Sequence, residues 1–116
     1  MKIIEKSHQM NVSELHAMTR ANSIKKMESA KGSTLNIDAW VLYEDEKTDK
    51  QTGDVSTVVV LSIRDGDEVF ATVSPTFKEE FFAIKGMCED AGEPFDHVTV
   101  TTGTSRAGRT FITCIF

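Results

Sequence analysis

The chain has 116 residues and a formal net charge of −5, with 40% hydrophobic and 27% charged residues. That length and balance describe one globular domain with a real core and exclude a disordered or fibrous chain. Apolar runs such as Val58–Leu61 are far too short to cross a bilayer, and the acidic balance argues against coating duplex DNA by charge alone.

The opening MKIIEKSHQM has charges on both sides of two isoleucines and no long apolar stretch, so it does not read as a secretory signal. NVSELHAMTR (11–20) predicts a helix capped by Asn11 or Ser13, with Leu15, Met18 and Ala21 along one face. SIKKMESAKG (23–32) predicts a second short helix, capped by Ser23 and stopped by Gly32. The period then changes to that of a strand: in LNIDAWVLY, Leu35, Ile37, Ala39, Val41 and Tyr43 alternate with Asn36, Asp38, Trp40 and Leu42. EDEKTDKQTGD (44–54) reads as a charged loop, STVVVLSI (56–63) as a β-branched strand and VFATV (69–73) as a third. The Asp-Gly of RDGDE (64–68) marks a tight turn between the last two.

Ser74 and Pro75 open a helix that runs to about Ala91, where Phe77, Phe81, Ile84 and Cys88 form one apolar stripe and Gly92 and Pro94 end it. DHVTVT (96–101) and TFITCIF (110–116) are the final strands. Three strands, a helix and two strands is the order of an OB-fold. The fold class expected is therefore mainly β (α+β): a five-stranded OB-like barrel with a helix between strands three and four, spanning 33–116. Residues 1–31 form an N-terminal helical extension of the same single domain.

Enzyme chemistry finds little support. His8, His16 and His97 are scattered, no nucleophile elbow, HExxH, Walker loop or dinucleotide glycine pattern occurs, and no His/Cys spacing suits a metal. No cofactor is expected. The acidic runs 44–46 and 65–68 read as solvated charge. Cys88 and Cys114 read as free buried thiols of a reducing cytosol.

A binding role fits better. Single-strand binding needs flat rings presented from strands and cations for phosphates, and an acidic protein can supply both locally. Alternation in VFATV places Val69, Ala71 and Val73 on one face and Phe70 on the other, so a barrel interior of small residues leaves Phe70 facing out. Tyr43 and Phe70 can each serve as core rings or as exposed ones, and Trp40 reads as core. The basic residues gather before the first strand (Arg20, Lys25, Lys26, Lys31) and on the last hairpin, TGTSRAGRT. There Gly103 and Gly108 leave amides open, Thr104 and Ser105 add hydroxyls, and Arg106 and Arg109 suit a phosphate backbone.

From about Ser23 onward the chain resembles the small single-stranded DNA-binding proteins of tailed phages, including those with protein-primed linear genomes. The shared pattern is Ser23-Ile24-Lys25, Gly32-Ser33, Gly53-Asp54, Asp65-Gly66 followed by Val69-Phe70, Ser74 and Thr76, and an ending of Gly103-Thr104-Ser105-Arg106, Gly108 and Phe111. The first 22 residues lie outside it. The resemblance implies an OB-type fold, sequence-tolerant binding of single-stranded DNA during replication in the cytoplasm of a bacterial host, and bases stacked on Tyr43 and Phe70. Phosphates would fall to Arg106, Arg109, Arg64, Lys25 and Lys26, with Ser105 beside them. Phe111 faces either the DNA or the core. Replication proteins or further copies of the chain are additional expected partners, and the alternative function is an OB-like adaptor that binds a replication protein without touching DNA.

Overall fold

A computed structural model describes residues 1–116 as an α+β fold. Its elements in order are β1 (Lys2–Lys6), α1 (Val12–Thr19), β2 (Lys25–Lys26), a 3-10 turn (Met27–Ala30), β3 (Thr34–Asn36), β4 (Ala39–Thr48), β5 (Val55–Asp65), β6 (Glu68–Thr72), α2 (Pro75–Ala91), β7 (His97–Thr104) and β8 (Thr110–Ile115). They make two open sheets, β1-β4-β5-β6-β2 and β3-β7-β8.

One bent strand joins the sheets. β3 pairs with β7 and β4 pairs with β5, and the change of partner falls on the two residues between them. The Ile37 N–H donates to the Asp96 carbonyl at 2.8 Å, while the next N–H, of Asp38, donates to the Arg64 carbonyl at 2.9 Å. The Asp38 carboxylate also accepts from the Gly66 N–H at 2.6 Å, and Asp65 accepts from the Asn36 N–H at 3.2 Å. These reciprocal bonds hold the bend.

The closed barrel expected from the strand order does not form. Closure requires β6 to pair with β8, but the outer edge of β6 is taken by β2, whose Lys25 and Lys26 run parallel to Phe70 and Ala71. Between β6 and β8 a side chain reaches across instead, the Ser74 hydroxyl donating to the Ile112 carbonyl at 3.3 Å.

The N-terminal segment is also built differently from the helical extension expected. Residues 2–6 form a strand antiparallel to β4, with a bulge between Ile3 and Glu5. The expected helix at 23–32 is β2 followed by the 3-10 turn, because Met27 and Ala30 are drawn into the core and the lysines into the ladder of β6. So short a helix has little stability of its own to oppose that. The charged loop expected over 44–54 is confined to 49–54, since β4 continues to Thr48 against β5 and forms a long two-stranded arm.

Two cores lie on opposite faces of β4-β5-β6. The inner one gathers Trp40, Leu61, Ile63 and Phe70 with Phe77, Phe81, Ile84 and Cys88 of α2 and Val98, Val100, Ile112 and Cys114 of the hairpin. Trp40, Phe81, Phe82 and Phe95 meet edge to face, their centroids 4.9–5.9 Å apart. The outer core is smaller: Ala39, Val41, Tyr43 and Val69 beneath Met10 and Met18.

Candidate nucleic-acid interface

Cross-strand partners share a face, and this assigns every ring on the sheet. Phe70 pairs with Ile63, which pairs with Trp40, so Phe70 points into the inner core. The expected outward orientation of Phe70 is therefore reversed: Phe70 is only 5% exposed, and Val69 and Ala71 lie on the outer face. The alternation in VFATV is real, but both faces of this sheet are covered, so residue size did not reveal which side was inside. A rim of the Phe70 ring shows in a cleft of about 510 Å³ where the Lys25 ammonium lies 5.8 Å from the ring centroid. Lys25 is also paired with Glu68 at 3.4 Å.

Tyr43 does lie on the outer face, opposite Val60, but α1 covers it. Its hydroxyl donates to the Thr19 carbonyl at 3.4 Å. Burial pushes the phenol above its ordinary range, the nearby Ser62 hydroxyl and Arg20 act to lower it, and Asp45 to raise it. Ser62 itself is fully buried, and its oxygen makes no hydrogen bond of good geometry. Trp40 is buried in the inner core, as its sequence context suggests.

Phe111 faces away from the core. Its neighbours Ile112 and Cys114 are buried, whereas the Phe111 ring is half-buried and sets its edge against Gly103. A Cβ added at Gly103 would sit 2.6 Å from the ring edge, so this glycine provides close approach rather than an unusual backbone angle.

The hairpin tip is firmly shaped. The Ser105 N–H donates to the Arg109 carbonyl at 2.8 Å, and the Gly108 N–H, in a residue with φ +80°, donates to the Ser105 carbonyl at 2.9 Å. The Ser105 hydroxyl accepts from the Arg109 N–H at 3.2 Å. Arg106 and Arg109 are exposed, and neither forms an ion pair. Arg64, half-buried, spans the β5–β6 turn by donating to the Gly66 carbonyl at 3.3 Å. Apart from Phe70 in the inner core, the expected site residues separate into two groups, the β7–β8 tip and the outer face with its β2 edge.

Comparison with protein-family models, with curated proteins and with solved structures gives no match.

The largest concave surface is on the outer face. A groove of about 640 Å³ runs over Val60, Ala71, Thr72 and Val73, with Lys26 and Glu28 on one rim and Lys47 on the other. Its floor is small and aliphatic, and Val73 is 55% exposed. Lys47 was missed in the sequence because the arm that carries it reads as a loop. Its place at two residues' spacing from Asp45 and Tyr43 is the signal that assigns it to their face. A second exposed apolar area lies at the far end of α2, where Met87 is 64% and Phe116 49% exposed and the Phe116 ring stacks on His97 at 4.3 Å.

Proposed function

We propose that the chain is a non-enzymatic single-stranded DNA-binding protein built on an opened OB-like framework, acting in phage DNA replication in the cytoplasm of a bacterial host. What supports the framework is the order β4-β5-β6, α2, β7-β8, with the bent β3–β4 strand shared by both sheets as an OB barrel shares its first strand. What carries the function is the outer-face groove. In an acidic chain it brings Lys26 and Lys47 to opposite rims of an apolar floor, and neither lysine is neutralised by an ion pair. Bases lie on the aliphatic floor, phosphates on the lysines, and Arg106 and Arg109 reach the strand from the hairpin tip with Phe111 beside them.

The test is a titration of a labelled oligo(dT) by anisotropy at several salt concentrations. Trp40 is buried and would report base contact poorly. If Lys26, Lys47, Arg106 and Arg109 all meet phosphates, log K falls against log salt with a slope of about −3, at roughly 0.7 per phosphate. Replacing both arginines by alanine removes about 1.4 of that slope. Absence of binding at low salt refutes the reading.

One observation favours a second reading. The strand rings expected to stack, Tyr43 and Phe70, are buried, while Met87 and Phe116 stand exposed together at the ends of α2 and β8. An adaptor that docks a replication protein on that patch would bind no oligonucleotide and would lose its partner on Phe116→Ser.

A further inference from the structure

We propose that α1 forms a displaceable cover, and that single-stranded DNA moves it aside to reach Tyr43, Ser62 and Arg64. The inference rests on the nucleic-acid reading of the groove.

The groove and the covered area are one surface. Val60 lines the groove and is the direct cross-strand partner of Tyr43; Ser62 and Arg64 follow on the same face of β5. The strand face that an OB-fold offers to oligonucleotides is therefore half open and half under α1. The covered half holds side chains the open half lacks: a ring and a guanidinium.

The cover fits imperfectly. Ser62 is fully buried on this face, its hydroxyl near the Tyr43 phenol but without a hydrogen bond of good geometry. The bond from the Tyr43 hydroxyl to the Thr19 carbonyl is long, 3.4 Å. A cleft of about 380 Å³ already parts α1 from the β5–β6 turn, with Glu14, Met18, Arg64 and Val69 in its walls. The ionic tie from the end of α1 to the sheet is Arg20 to Asp45, at 3.8 Å and partly exposed. The helix has eight residues and an Asn11 cap that accepts from the Glu14 N–H at 2.9 Å, so it depends on this contact to stay folded. A phosphate chain would compete for Arg20 as well as for Arg64, and a base on Tyr43 would replace Met18.

Amide exchange on the full chain, with and without saturating oligo(dT) at low salt, tests this. The Leu15 and Arg20 amides, bonded to the Asn11 and His16 carbonyls, are expected to exchange faster in the complex while β5 amides exchange more slowly. Asn11→Ala, which loosens the cover, is expected to tighten oligo(dT) binding about five-fold, provided the variant still melts cooperatively. Binding with α1 protection unchanged or raised, and no gain from Asn11→Ala, overturns the cover and leaves the groove standing. No binding by the wild-type chain removes the nucleic-acid reading and the cover with it.

Discussion

At the scale of single residues, the site turns on which side of a strand each ring occupies. Phe111 and Gly103 form a close, half-buried pair, a ring edge against a bare backbone. Gly103→Ala is expected to cost about 1–3 kcal/mol in chemical denaturation, because the new methyl must push the ring away. The double variant Gly103→Ala, Phe111→Ala should recover most of that loss, and additive effects would show that the two do not interact. The sequence made the candidate residues visible but not their orientation. Phe70 and Tyr43 both stand on strands, and the pairings Ile63–Phe70 and Val60–Tyr43 that orient them involve residues 7 and 17 positions apart, which no local pattern specifies. The hairpin tip was legible because glycine, serine and arginine act there through local backbone chemistry.

Among the elements, α2 was readable end to end because its signals are local. Ser74 accepts from the Phe77 N–H at 3.3 Å, Pro75 occupies the first turn, the stripe from Phe77 to Cys88 is buried, and Gly92 ends the helix at φ +70°. Ser74 also ties the helix start to β8 through the Ile112 carbonyl. Ser74→Ala is therefore expected to destabilise the protein by about 2 kcal/mol, more than the typical ~1 kcal/mol of a lost cap. Urea unfolding beside Asn11→Ala, a cap without such a tie, provides the comparison. β1, β2 and the outer half of β4 were not legible. Their residues are short charged runs such as KIIEK and EDEKT, and they are strands because neighbours supply hydrogen bonds, which overrides propensity.

Across the whole molecule, the arm and the hairpin extend the shape. The Cα radius of gyration is 14.7 Å, against about 13.4 Å for a compact chain of this length. Stability should fall in alkali. Burial, with Glu80 adding to it, pushes the Cys114 thiol up to about 12, and burial also raises Tyr43. Both groups hold their protons more tightly folded than unfolded. Their contribution is thus complete below the ordinary thiol range and is lost as pH rises towards 12, at up to about 1.4 kcal/mol per pH unit for the thiol alone. Lys78, lowered by burial while donating to the Val59 carbonyl at 2.8 Å, acts in the opposite sense. Thermal melts at pH 8 and pH 10.5 should show the loss, and Cys114→Ala should reduce it. The order β4-β5-β6, α2, β7-β8 was readable from the chain, but barrel closure was not, because it depends on which strand, β2 or β8, occupies the edge of β6.

That bent strand at Ile37–Asp38 also sets a timetable. β4, β5 and β6 find partners within one meander, whereas β3 waits for β7: the hydroxyls of Thr34 and Thr99, 2.7 Å apart, are 65 residues apart in the chain. During synthesis β3 therefore leaves the ribosome with an edge that stays open until β7 can fill it. The basic hairpin is the piece that completes the second sheet.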